Sequence, residues 1–112
     1  HASCLHLFPC FYYELSLQGN GYYPLHWAAI EGYLSIANLL LQAGATVDAV
    51  NNAGRTALHS AAHMGKIQVV EALLDAGADK APKVTGGYYE GKTALDLAQM
   101  ENHPAIVKLL RD

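Results

Sequence analysis

Cysteine is scarce in this chain: only Cys4 and Cys10 occur in 112 residues, both near the start. A disulfide-held domain of this size carries more bridges, spread along the chain. Packing must therefore hold the remainder, which fits an intracellular protein, cytoplasmic or nuclear. An excess of positive charge is lacking too. Seven Lys and Arg stand against ten Asp and Glu, a formal net charge of −3, with no basic run. Nucleic-acid binders cluster Lys and Arg to neutralise phosphates, so that class is disfavoured. No apolar stretch approaches the roughly 18–20 residues of a membrane span, so no membrane partner is expected. The N-terminus has no positive segment ahead of a long apolar run and does not read as a signal peptide. It opens on His1, not Met, which keeps a fragment of a larger protein in view.

Catalytic patterns are missing as well. There is no Gly-x-Ser-x-Gly elbow and no Gly-rich phosphate loop with a following Lys. Gly86-Gly87 precedes two tyrosines and an acid, which suits a turn. Cys4 or Cys10 with a histidine could form a nucleophile pair, yet nothing in the sequence orients one. No catalytic residue and no cofactor are expected.

What the chain does have is apolar content, 52% of its residues, arranged in a repeat. Tyr23-Pro24-Leu25-His26-Trp27-Ala28-Ala29 aligns with Thr56-Ala57-Leu58-His59-Ser60-Ala61-Ala62 and with Thr93-Ala94-Leu95-Asp96-Leu97-Ala98-Gln99. Leu25 to Leu58 is 33 positions and Leu58 to Leu95 is 37. Two further registers agree: Leu40-Leu41-x-x-Gly44-Ala45 with Leu73-Leu74-x-x-Gly77-Ala78, and Gly21, Gly54 and Gly91 ahead of the repeated leucines. Self-similarity at this period marks a stacked-repeat architecture.

Each unit reads as two short helices and a turn. Pro24 suits the first helical turn, where its missing N–H costs nothing. Thr56 and Thr93 are placed as N-caps. Gly32, Gly65 and Asn102 tolerate the left-handed conformation that ends a first helix. The second helices carry Leu34, Ile36, Leu39 and Leu40, then Ile67, Val69, Val70, Leu73 and Leu74, then Ile106, Val107, Leu109 and Leu110. That pattern fits burial against neighbours on more than one side. The paired alanines leave room for close helix approach. Helices this short are marginal alone in water and gain stability by stacking.

The pattern resembles the ankyrin repeat, whose period and Thr-Pro-Leu-His-x-Ala signature it shares. The resemblance covers roughly Gln18 to Asp112 and implies an all-α solenoid. The repeats fall at about 21–50, 51–83 and 88–112, giving a repeat domain over 21–112. It also implies that His26 and His59 tie a helix start to the neighbouring turn. Four departures stand out: Tyr23 replaces a capping Thr, Asp96 replaces the repeat His, and four extra residues lie within Val84–Glu90. The fourth is Asp48, where the family commonly carries an Asn open to hydroxylation; no such modification is expected.

Residues 1–20 admit two readings. Cys4-Leu5-His6-Leu7-Phe8 lies one period before the second helix of the first repeat and could begin a degenerate capping segment. The alternative is an irregular tail. His1, Cys4, His6 and Cys10 are suitable zinc ligands by type, but their spacing matches no zinc pattern, so no metal site is expected.

Protein binding has the strongest signal. Of seven tyrosines, six come as neighbours: Tyr12-Tyr13, Tyr22-Tyr23 and Tyr88-Tyr89. Tyrosine offers a large contact area with a polar tip and little entropy to lose, and it is enriched at hot spots. In the ankyrin-like arrangement, turn tips and first helices form a concave face. Here that face would comprise Tyr22, Ile30, Glu31, Asn52, Arg55, His63, Met64, Tyr88, Tyr89, Lys92, Met100 and Glu101. Met64 and Met100 near the helix ends would be adaptable contacts if exposed, with partial burial the alternative. Trp27, beside an Ala pair, is expected to face the core. The function implied is a protein–protein interaction module, monomeric and with a protein partner. The alternative is a regulatory or targeting domain of a larger enzyme.

Overall fold

In a computed structural model of the chain, residues 24–111 are described, and they form six α-helices. These are α1 (Pro24–Glu31), α2 (Leu34–Gln42), α3 (Ala57–Met64), α4 (Ile67–Asp75), α5 (Ala94–Met100) and α6 (Pro104–Arg111). Consecutive helices pair as α1–α2, α3–α4 and α5–α6; α1, α3 and α5 stack in one layer and α2, α4 and α6 in the other. The all-α stacked architecture follows the repeat. The expectations for residues 1–23, including the capping segment, Tyr22, Tyr23 and the His/Cys cluster, lie outside the described residues.

The first layer packs closely because its facing side chains are small. Ala28, Ala29, Ala61, Ala62 and Ala98 are fully buried, interleaved with Leu58 and Leu97. The second layer contributes Val69, Val70, Leu73 and Ile106. Leu39 departs from the expected stripe, being 47% exposed. In α2 the buried residues are Ala37 and Leu40, three positions apart on one face, and Leu39 lies about 100° round the helix from Leu40.

Helix starts are fixed by reciprocal caps. Thr56 Oγ1 accepts from the His59 N–H at 3.2 Å, while the Thr56 N–H donates to His59 Nδ1 at 2.9 Å. Nδ1 is thereby an acceptor, so the ring proton sits on Nε2, which donates to the Pro82 carbonyl at 2.9 Å. One imidazole caps its own helix and pins the next turn. His26 makes the same long-range bond to the Arg55 carbonyl, also 2.9 Å. Asp96 explains its own departure from the pattern. It accepts from the Thr93 N–H at 3.1 Å and its own N–H donates to Thr93 Oγ1 at 3.2 Å. The cap survives with a shorter side chain; only the long arm is given up.

Both histidines are held neutral by burial, which pushes their pKa values below 6.5, with the carbonyl bonds opposing. The unfolded chain therefore takes up protons at higher pH than the folded one does. Stability should be fully present above about pH 6.5 and decline as pH falls through that value towards the lower folded pKa values. Thermal melts across pH 8 to 5 (about that range) check this; His59→Gln should melt lower at neutral pH but depend less on pH. An unchanged pH profile in the variant would count against the assignment.

Helix ends close as expected. Gly65 caps α3 at φ 76° and Asn102 stands at φ 61° after α5. Gly65 has a second reason to lack a side chain, since a Cβ there would lie 2.6 Å from the His103 ring. His103 in turn bonds the His63 carbonyl through Nε2 at 3.2 Å, joining the third pair to the second.

The extra residues of the third repeat can now be located. In the short turn before α3, the Asn51 N–H donates to the Arg55 carbonyl at 3.0 Å and the Gly54 N–H to the Asn51 carbonyl at 3.0 Å. Before α5 the same two bonds recur, Val84 to Lys92 at 2.9 Å and Gly91 to Val84 at 2.7 Å. The mouth of the turn is conserved while its loop is longer, so the insertion lies between Val84 and Gly91. The loop does not stand away from the stack: the Thr85 and Gly86 N–H groups both donate to the Ala53 carbonyl, at 2.8 and 3.2 Å. Asp48 has a structural task of its own, accepting from the Asp79 N–H at 3.0 Å across to the next unit.

Candidate partner-binding face

The docked loop carries Tyr88 and Tyr89 over the preceding turn. Their rings meet edge to face at 4.9 Å, and Tyr89 also meets the His63 ring edge to face at 4.9 Å. The Arg55 guanidinium lies 5.6 Å from the Tyr89 ring centroid, within cation–π range. Arg55 Nη2 donates to His63 Nδ1 at 3.3 Å, which leaves the ring proton on Nε2, 3.4 Å from Glu101 Oε2. Residues from the second turn, α3, the inserted loop and the segment after α5 thus form one contiguous cluster.

Beside it, a groove of about 310 Å³ is lined by Ile30, Asn51, Arg55, Ser60, His63 and Met64. α1 contributes one wall and α3 the other. Met64 and Met100, the last residues of α3 and α5, are 46% and 49% exposed, so both offer apolar surface to a partner. Tyr88 is 89% exposed. An aromatic ring so exposed contributes little to the fold, whereas Tyr89 is half-buried within the cluster.

The structure therefore brings together Arg55, His63, Tyr88, Tyr89 and Glu101, with Ile30 and Met64 adjoining at the groove. Glu31 ends α1, Asn52 lies in the second turn and Lys92 closes the inserted loop; all three are exposed and none lines the groove. Two lining residues were not singled out from sequence, Asn51 and Ser60. Ser60 occupies the column held elsewhere by Trp27 and Leu97, and a small hydroxyl in that column was the available signal. Trp27 does not join the core as expected: it is half-buried, its ring edge-on to Tyr33 at 5.1 Å, and it is not among the side chains packed against the buried cluster.

Among the described residues, no group of three or more His, Cys, Asp or Glu is placed to hold a metal ion. Among the same residues, no helix is long and apolar enough to cross a membrane. The cluster has hydrogen-bonding and aromatic surface, with no nucleophile set against a base.

Stacked helix pairs with a preformed face define a helical-repeat binding scaffold. The family model for ankyrin repeats (three copies) matches residues 2–84, and α5 and α6 beyond it repeat the same cap and helix pair. The chain belongs to the ankyrin-repeat family. Ankyrin repeats are non-catalytic protein-interaction modules, and this domain is one. It is similar to the E3 ubiquitin-protein ligase XBAT33 of Arabidopsis thaliana, 37% identical over 87 residues, covering 78% of this chain and 16% of that protein. Mouse ankyrin repeat and SAM domain-containing protein 6 is 37% identical over 97 residues, covering 84% of this chain and 10% of its own length. A putative ankyrin repeat protein of Rickettsia bellii is 39% identical over 75 residues, or 66% of this chain and 31% of that one. The chain spans less than a third of the length of each of these relatives.

Proposed function

We propose that the domain binds its protein partner through the face built from the ends of α1, α3 and α5 and the inserted loop. The observation that carries this reading is Tyr88, 89% exposed on a loop that backbone bonds and ring contacts fix in place. Preformed contact surface loses little ordering entropy on binding, and exposed Tyr with flanking Met supplies apolar area. Glu31, Lys92 and Glu101 at the rim give orientation more than affinity.

In this reading the repeat domain occupies 21–112, preceded by an irregular or degenerate capping segment over 1–20; the family match beginning at residue 2 favours the second of these. The domain is monomeric, intracellular and without affinity for nucleic acid, in keeping with its net charge of −3. A second reading makes it the regulatory or targeting part of a larger enzyme. The similarity to a ubiquitin ligase, of which the chain spans 16%, favours it.

A photo-reactive phenylalanine at position 88 tests the face. It should crosslink to a protein partner in lysate, while the same group at exposed Gln68 on α4 should not. The Tyr88→Ala/Tyr89→Ala variant, folded by its melting curve, should lose most of that partner. Equal capture by wild type and variant would remove the face.

A further inference from the structure

We infer that the open groove at the α6 end of the stack binds an extended acidic segment of a partner protein, two of its carboxylates meeting Lys108 and Arg111. The groove holds about 530 Å³, within the range of ligand sites, about 300–1,000 Å³. Gln99 of α5, Asn102 and His103 of the following turn, and Val107, Lys108 and Arg111 of α6 line it. None of these is among the residues of the face proposed above.

Each earlier pair offers the equivalent surface to the pair after it. A Cβ on Gly32 would lie 2.8 Å from the Lys66 side chain, and one on Gly65 would lie 2.6 Å from the His103 ring. The two glycines are thus notches in which a side chain of the next unit is seated. Asn102 holds the third such position, at φ 61°, and its own Cβ fills the notch. A further helix pair stacked in the same register would collide there. The changes around it run in one chemical direction. Ala62, Glu71 and Leu74 of the second pair correspond, 37 positions on, to Gln99, Lys108 and Arg111 of the third. A small side chain, an acid and an apolar residue give way to an amide and two cations, while Val107 keeps the character of Val70.

No carboxylate lines the groove. Glu101, beside it in sequence, pairs with His63, and His103 gives its Nε2 proton to the His63 carbonyl. Among the described residues, the side chains of Gln99, Asn102, Lys108 and Arg111 make no hydrogen bond or ion pair. Val107, Lys108 and Arg111 share one face of α6 by their spacing. Cations in a last turn suit the negative end of any helix, but the dipole does not require them to flank an apolar residue. Residues three apart on a helix stand about 5–6 Å apart at Cβ. Alternate residues of an extended chain are separated by roughly 6.6 Å on one side, so acids two positions apart match this pair. Arg111 can take a carboxylate in two parallel bonds, and Lys108 acts as a point charge. A nucleic acid would meet the chain's net charge of −3 along its length, whereas a short acidic segment meets only the groove.

Random peptides displayed on phage and selected on the full chain test the inference. Wild type is expected to enrich peptides with two acids at alternate positions. Binding of a selected peptide should weaken several-fold between about 0.05 and 0.5 M salt, because exposed charges are screened. Lys108→Glu/Arg111→Glu changes two exposed side chains and should bind that peptide about tenfold more weakly or worse, since two attractions become repulsions. Its melting curve reports whether it folds; if it does not, exchanging the peptide's acids for amides on wild-type protein decides. Peptides without paired acids, no enrichment, or equal binding by the folded variant overturn the inference. Tighter binding of a uridine oligonucleotide than of the peptide, lost in the same variant, also overturns it, making the occupant a nucleic acid. Tyr88→Ala/Tyr89→Ala should hold the acidic peptides normally. If it loses them while the cation variant does not, they bind the earlier face, which then stands without this groove.

Discussion

Leu73→Ala is expected to destabilise the domain by about 2–5 kcal/mol, the range for truncating a fully buried leucine. Leu73 is 0% exposed and lies on α4, which packs against α2, α3 and α6. The methyl groups removed are therefore surrounded, and the stack can relax into the void only by shifting helices of all three pairs. Repeat arrays hold together through nearest-neighbour interfaces, so damage to the central pair acts on both of its neighbours. Leu39→Ala removes the same atoms from a site that is 47% exposed and should cost far less, near the ±0.5 kcal/mol or so of ordinary surface changes. Urea unfolding of the two variants checks the contrast. Similar midpoints would mean that the second layer is not packed as described.

Gly54→Ala should damage binding and stability together. Gly54 stands at φ 76°, and a Cβ there would lie 2.9 Å from the Thr85 amide nitrogen and collide with the Thr85 side chain. A left-handed non-glycine residue costs of order 1–3 kcal/mol when the surroundings enforce it. The larger effect is positional. Thr85 and Gly86 dock the inserted loop on the Ala53 carbonyl, so pushing Thr85 away loosens the loop that presents Tyr88 and Tyr89. The expected result is a lower melting temperature, lost exchange protection at the Thr85 and Gly86 amides, and weakened partner binding. Gly86→Ala is the control, since its Cβ would meet nothing within 4 Å. Full protection at Thr85 in Gly54→Ala would show that the loop is held by other means.

Much of the fold was legible because each repeat writes the same short-range chemistry. Thr56 and Thr93 are caps wherever their helices sit, and Gly65 ends α3 for reasons local to its backbone. The role of His59 was visible only through the family resemblance. Nothing else in the sequence sets its ring against Thr56 or points it to the Pro82 carbonyl. Leu39 shows the opposite limit: an apolar residue in a helical pattern of short period, assigned to the stripe, is left outside when only a narrow face is covered.

The candidate face was legible as composition and not as geometry. Paired tyrosines in an insertion mark an interaction surface, yet nothing in sequence says that Tyr89 lies against Arg55 and His63, 34 and 26 positions earlier. That contact depends on the loop folding back onto Ala53, which side-chain patterns do not encode. Ser60 and Asn51 were missed for a related reason. Each is an ordinary small polar residue until neighbouring units place it beside a groove.

The paired backbone bonds at the mouth of each turn have an evolutionary consequence. The same two bonds close an offset of four positions from Asn51 to Arg55 and of eight from Val84 to Lys92. Doubling a loop costs only about 0.6 kcal/mol in closure entropy, and here the added chain regains part of that by docking on its neighbour. The mouth thus behaves as a splice point, at which new sequence can enter without disturbing the helices on either side. A lineage can exchange what is displayed there while the scaffold stays constant, so recognition is free to diverge faster than the framework that carries it.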